Sequence, residues 1–273
     1  VLDPIHRVER KAWRAGGFAG GKRAIPEETA VAFTYNGSSY AVMMATPQDL
    51  EDFAYGFSLT EGIIGSPDEI ESLEIVEEPI GIELRMRLAE PHATAFRERR
   101  RFLAGPTGCG LCGIESLGEA MRTPVMVADP SSATPQDIAM ALDALDGRQA
   151  INQTTRATHA AAYYRRGDGL VALREDVGRH NALDKLAGAL ARKGIAGCGG
   201  LGILTSRLSV ELVQKAAAIG IPILVAVSAP TALAVRTAEA CGITLVAIAR
   251  DDGFEVFTHS KRIKEHHSAH VPA

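Results

Sequence analysis

The sequence predicts an α/β protein in two parts: a smaller N-terminal α+β domain, then a larger domain whose sheet is covered by helices on both faces, three layers in all. Three observations carry this. Over residues 201–249, short continuous apolar runs (201–205, 222–227, 243–249) alternate with helical segments, the pattern of parallel strands buried on both sides. Earlier, two β-branched and aromatic runs, 29–35 and 39–45, flank Asn36-Gly37 and read as a hairpin. Between these regions, residues 105–113 hold four glycines and one proline, poor material for a helix or a central strand.

The chain has 273 residues, 46% hydrophobic and 23% charged, enough for two modest cores or one large one. A net charge of -4 gives no global pull toward nucleic acid or an anionic membrane surface. No apolar run reaches the length of about 18 residues that a bilayer requires, and no signal-peptide series opens the chain. Four cysteines are too few for a disulfide scaffold. The expected setting is reducing and cytoplasmic, where a C-x-x-C pair is catalytic or metal-binding rather than structural.

In order, residues 1–28 are a mixed lead in which Trp13 either packs or anchors a partner. After the first hairpin comes Thr46-Pro47-Gln48-Asp49. Thr46 fits an N-cap, Pro47 the first helical position and Asp49 the third, where its charge meets free N–H groups. The helix runs to about Thr60, with Leu50, Phe53, Ala54 and Phe57 on one stripe, and Gly62 ends it. Strands follow at 70–77 and 81–89, the second alternating Ile82, Leu84, Met86 and Leu88. Residues 29–100 thus form the small domain, closed by a basic cluster of Arg97, Arg99, Arg100 and Arg101. That cluster is either a solvated face or a contact to an anion.

A connecting loop, 101–113, leads to the larger domain, 114–263, and a tail, 264–273, with His266, His267 and His270. Residues 114–121 read as a short helix. Thr134-Pro135-Gln136-Asp137 repeats the earlier capping pattern, with a helix to about Leu145. Strands at 158–165 and 170–174 turn across Gly167-Asp168-Gly169. Beyond Glu175-Asp176-Val177-Gly178-Arg179-His180-Asn181 a helix carries Leu183, Leu186, Ala187 and Leu190 on one face. Its free N–H groups, with Arg179 and His180 beside them, suit an anionic ligand. His180 fits a proton donor, a phosphate ligand or a partner of Asp176; Asp176 fits a brace for Arg179 or a ligand contact. Ligands of such sheets sit beyond the strand C-termini, here Thr205-Ser206-Arg207, Ser228-Ala229-Pro230-Thr231 and Arg250-Asp251-Asp252. Residues 254–258 read as a last edge strand.

The chemistry centres on Cys109-Gly110-Leu111-Cys112. A structural zinc site takes four ligands, commonly from two such pairs, and no second pair exists. Cys241 reads as a small core residue and Cys198 stands alone. The zinc deaminase pattern of His-x-Glu with Pro-Cys-x-x-Cys is missing, so no metal ligand is assigned. Two thiol uses remain: disulfide exchange, or a nucleophile that carries sulfane sulfur between partners on an accessible loop. The residues alone leave both open.

The chain resembles the formate dehydrogenase accessory sulfurtransferase family, FdhD, from about residue 26 to 263. The likeness rests on 40–47 with Asp49-Leu50-Glu51-Asp52-Phe53-Ala54, the Cys-Gly-Leu-Cys-Gly loop, 175–185, Ser228-Ala229-Pro230-Thr231 and Phe257-Thr258-His259. The resemblance implies a larger domain similar to cytidine deaminases, a homodimer, and transfer of persulfide sulfur from a cysteine desulfurase. The acceptor would be the molybdenum or tungsten cofactor bearing two pterin guanine dinucleotides, which a guanine nucleotide would mimic, destined for formate dehydrogenase. Cys109 would carry the sulfur with Cys112 in support, and the cofactor segment would be Phe254, Glu255, Val256, Phe257, Thr258 and His259. The anion-friendly residues Arg179, His180, Ser206, Arg207, Ser228 and Thr231 would supply further donors, with helix capping as the plain alternative for Thr231. The competing expectations are a dithiol redox protein and a non-catalytic cofactor chaperone with structural zinc.

Overall fold

The computed structural model describes residues 2–90, 125–250 and 252–265. The lead, which offers no strand signal in sequence, forms a two-stranded antiparallel ribbon, β1 (Ile5–Arg14) and β2 (Gly17–Pro26). Ala15 and Gly16 turn it with φ of 49° and 81°, the paired positive values of a tight hairpin. Arg23 ties the ribbon to the larger unit through the Thr155 carbonyl at 3.3 Å.

The smaller sheet has the order β4-β3-β6-β5, from β3 (Thr29–Tyr35), β4 (Ser38–Ala45), β5 (Ile70–Glu78) and β6 (Gly81–Leu88). β3 and β4 are antiparallel across Asn36-Gly37, whereas β3 and β6 are parallel. The return is made by α1 (Leu50–Thr60), which lays Leu50, Phe53, Ala54 and Phe57 on the sheet. Phe33 stacks on Phe57 with ring centroids 4.1 Å apart.

Thr46 is not the N-cap expected of it. Asp49 takes that position with φ 54°, and its side chain accepts no capping bond. Thr46 is instead drawn into the larger unit: its hydroxyl accepts from the Val177 N–H at 3.1 Å and its own N–H donates to Asp176 at 3.0 Å. The same tetrapeptide at Thr134 behaves as expected. Thr134 caps α2 (Pro135–Asp143) in a reciprocal capping box with Asp137.

The larger sheet has six strands in the order β12-β11-β10-β9-β7-β8. Only the centre is parallel: β9 (Leu201–Leu204), β10 (Ile223–Ala226) and β11 (Thr244–Arg250). β7 (His159–Arg165), β8 (Gly169–Asp176) and β12 (Gly253–Val256) are antiparallel additions at the flanks. The short helix α3 (Ala150–Thr155) precedes β7. One face is covered by α4 (Arg179–Arg192), α5 (Val210–Ala218) and α6 (Ala232–Cys241), the other by α2.

α4 is buried on every side from Asn181 to Leu190. Leu183, Leu186 and Leu190 face the large sheet, and the opposite side lies against α1. The crossing is held close by two glycines. A Cβ on Gly56 would stand 1.7 Å from the Asp184 carbonyl oxygen, and one on Gly188 1.9 Å from that of Asp52. The layers are therefore small sheet, α1, the α4–α6 layer, large sheet and α2.

Candidate functional site

The C-terminal ends of β8, β9, β10 and β11 share one edge of the large sheet. Five pieces converge there: Asp176 with the start of α4, His159 at the start of β7, Thr205-Ser206-Arg207, Ser228–Thr231, and Arg250. Thr205 binds the β7 backbone through the Ala160 N–H at 2.8 Å, which sets His159 beside the end of β9. At the end of β11, Ile248 has φ 54° beside a register shift. A β-branched residue in the left-handed region is backbone strain, and here it lies on the edge where such sheets bind ligands.

α4 begins after Gly178 with no side-chain cap. Arg179 Nε is buried and meets no acceptor among the described residues. A buried guanidinium donor without an acceptor is costly, so an anion at this helix start would satisfy it. His159 is half-buried; burial first, then the positive charge of Arg179, press its imidazole below the ordinary value, while Asp176 pulls the other way. His180 has a partner of its own: its Nε2 lies 3.2 Å from Glu211 and 3.4 Å from Ser209. The His180 hydrogen bond is the main force holding the Glu211 carboxyl down to about 2, against its burial.

Asp176 braces neither Arg179 nor His180. It accepts from Thr46 N–H, Gly178 N–H, Asn181 and, at 2.6 Å, the fully buried Lys185 ammonium. Lys185 also donates to the Thr46 carbonyl, and Asn181 to the Met44 carbonyl. Asp176, Val177, Asn181, Asp184 and Lys185 thus stitch the two units together, and Arg179 takes no part in that seam among the described contacts. Glu175 anchors the start of α3 through the Ile151 and Asn152 N–H groups.

The other expected residues divide. Ser206 is buried with its hydroxyl on the Arg207 carbonyl, and Arg207 is exposed at the same edge. The Ser228 carbonyl accepts from the strained Ile248, and Thr231 caps α6 through the Ala234 N–H. The segment from Phe254 runs away from this edge, because β12 is antiparallel to β11. Phe254 and Val256 pack on the α2 face, while Glu255 and Phe257 are exposed. Thr258 is buried at the far edge, bonded to the Leu245 N–H and Ile243 carbonyl, and His259 reaches the Glu239 carbonyl. Within one chain the structure does not bring Phe257, Thr258 and His259 to Arg179.

Cys109, Cys112, the cluster Arg97, Arg99, Arg100 and Arg101, the expected helix 114–121, Asp251 and the tail histidines all lie outside the described residues. Cys241 is buried in the core, its thiol pushed up by burial, and Cys198 is exposed. Among the described residues no three His, Cys, Asp or Glu gather to hold a metal ion. Nor is any helix there long and apolar enough to cross a membrane. Nothing in the local sequence marks His159; its proximity to Arg179 follows from strand order.

The fold defines an α/β protein of two packed sheets and an N-terminal ribbon, with His159, Arg179 and Arg207 gathered on one edge of the larger sheet beside the joint between the units. Residues 26–264 match the model of the FdhD/NarQ family, and the chain belongs to that family. It is 55% identical to the sulfur carrier protein FdhD of Agrobacterium fabrum over 96% of this chain and 97% of that one. It is 53% identical to the protein of the same name from Brucella abortus over 94% and 96%. A solved structure from Desulfotalea psychrophila, described as a formate dehydrogenase accessory protein, shares the fold with a TM-score of 0.74 at 24% identity, covering 96% of this chain and all of that one.

Proposed function

We propose that this chain is a sulfur carrier in formate dehydrogenase maturation. It takes persulfide sulfur from a cysteine desulfurase in the cytoplasm and passes it to a molybdenum or tungsten bis-pterin guanine dinucleotide. Membership of a family whose relatives are named sulfur carriers supports the role. The observation that supports an anionic cargo is the orphaned Arg179 donor at the start of α4, with His159 and Arg207 on the same edge. A phosphate of the cargo would supply the missing acceptor. The carrier acts as a homodimer, and its larger domain is of cytidine deaminase type, as the resemblance to the family implies.

In this reading the Cys109 thiolate attacks the outer sulfur of the donor's cysteine persulfide. The donor's S–S bond breaks, its thiolate leaves, and Cys109 carries the sulfane sulfur. Attack of the Cys112 thiolate on the Cys109 sulfur then forms a disulfide and releases sulfide to the metal. A cellular thiol reductant resets the pair.

Wild-type protein incubated with desulfurase and cysteine is expected to gain one sulfur atom by intact mass. Cys109→Ala is expected to gain none and to abolish formate dehydrogenase maturation. Arg179→Ala should still load sulfur but bind GDP about tenfold more weakly by calorimetry. Equal loading of Cys109→Ala would remove Cys109 as the carrying residue, no adduct on the wild type would remove the carrier role, and unchanged GDP affinity would remove Arg179 from the cargo site.

A further inference from the structure

In an acidic chain the β1–β2 ribbon is basic, and it is exposed and apolar at its tip. Arg7, Arg10, Lys11, Arg14, Lys22 and Arg23 stand against Glu9 alone, a local charge of +5 where the whole chain carries -4. At the tip Trp13 and Phe18 meet edge to face at 4.9 Å and are 61% and 74% exposed. Such an aromatic pair left in water marks a contact surface. Gly17 and Gly20 add a bare backbone there: neither has positive φ, and a Cβ on either would meet nothing within 4 Å. The folded chain does not require these glycines, whereas close approach by another strand would.

The complementary surface is on the small sheet. Its edge strand β5 (IESLEIVEE) has no basic residue, and Glu71, Glu74, Glu77 and Glu78 are exposed on it. Beside it lies a groove of about 530 Å³ whose lining includes Asn36, Ser72, Arg85 and Arg87. The charge is opposite to that of the ribbon; Glu71 and Glu78 lean on Arg87 and Arg85 at 3.0 and 3.4 Å, and both strands are long enough to lie side by side. Trp13 stands about 20 Å from Arg7 along β1, and Ser72 about 20 Å from Glu78 along β5. A tip seated in the groove, against the guanidinium groups of Arg85 and Arg87, sets the basic stem beside the acidic edge. In its own chain the ribbon leans on α3 instead.

We infer that the ribbon of one copy docks on the β5 edge and adjoining groove of a second copy, reciprocally, so that each protomer gives one arm and receives one. The inference rests on the homodimer reading above and adds its surface. Two full-length variants test it: Arg7→Glu, Arg10→Glu, Lys11→Glu and Lys22→Glu together, which takes the arm from +5 to -3, and Glu71→Lys, Glu74→Lys, Glu77→Lys and Glu78→Lys together, which takes the edge from -4 to +4. By sedimentation velocity the wild type is expected to be a dimer and each variant alone a monomer. Mixing the two variants should restore dimers, because both reciprocal contacts then pair opposite charges. Trp13, the sole tryptophan, reports the tip directly: its emission should shift to the red as the wild type is diluted into monomers. A wild-type monomer overturns both the inference and the homodimer. Variants that stay dimeric alone, a mixture that stays monomeric, or dimeric wild type with solvent-exposed Trp13 emission overturns the docking surface and leaves the homodimer standing.

Discussion

At the scale of single residues, His180 and Arg179 are neighbours in sequence with different employment. His180 is spent on Glu211 and Ser209, which fastens the start of α4 to the start of α5. Arg179 has a buried Nε with no acceptor among the described residues. The Glu211 pair has a pH signature. Its carboxyl is held down to about 2 in the folded protein from an ordinary 4.5, so the unfolded chain binds more protons between those values. The stabilisation is therefore complete above about pH 4.5 and lost as pH falls through about 2. Glu211→Gln is expected to cost about 1–2 kcal/mol at pH 7 and to converge on the wild type near pH 2. Urea unfolding across that range checks it, and parallel curves would mean the pair adds nothing.

At the scale of elements, the α1–α4 crossing decides how the two units meet. Gly56 and Gly188 let the backbones touch, and ionic clusters flank them. Asp52 receives Arg174 at 2.6 Å and Arg192 at 2.7 Å. Burial works against the Lys215 charge, but Asp184 and Glu61 outweigh it and push the ammonium above the ordinary lysine range. Gly188→Ala is expected to destabilise by about 3 kcal/mol or more, since the new methyl would overlap the Asp52 carbonyl and no flexible side chain can yield. Gly17→Ala on the open ribbon should change stability by less than about 0.5 kcal/mol. Chemical denaturation of both variants separates a packing glycine from an exposed one; equal effects would show that the helices slide apart freely.

At the scale of the whole molecule, the joint is polar and buried rather than a flexible linker. Lys185 and Asp176 are both fully buried, and Lys185 reaches the Thr46 carbonyl across the joint. Removing one partner strands the other charge, so Lys185→Met is expected to cost about 3–5 kcal/mol. Because each unit supplies part of the other's hydrogen bonds, the wild type is expected to unfold in one transition, with calorimetric and van't Hoff enthalpies in agreement. Two resolved transitions would show that the small sheet folds independently.

Sequence was a good guide wherever the decisive interactions are local. The Asn36-Gly37 hairpin needs only two residues tolerant of positive φ, and the Thr134 box closes within one helical turn. The helix start at Arg179 was likewise legible from its pattern. The ribbon was not, because Gly17, Gly20 and Gly21 weaken the strand signal that cross-strand pairing restores. The flanks of the large sheet were not, because direction relative to a neighbour is absent from a single strand's residues.

Thr-Pro-Gln-Asp occurs twice and shows the division most plainly. By itself the sequence determined that each copy precedes a helix and which face of that helix is apolar. Only the tertiary structure decided that Thr134 caps its helix while Thr46 leaves its own uncapped to bind Asp176 and Val177 of the other unit. A capping bond spans three residues, whereas the bonds of Thr46 span about 130, and contacts at that range exist only once both sheets have packed. The same holds for the edge that gathers His159, Arg179 and Arg207: its residue types can be read along the chain, but their convergence belongs to the strand order.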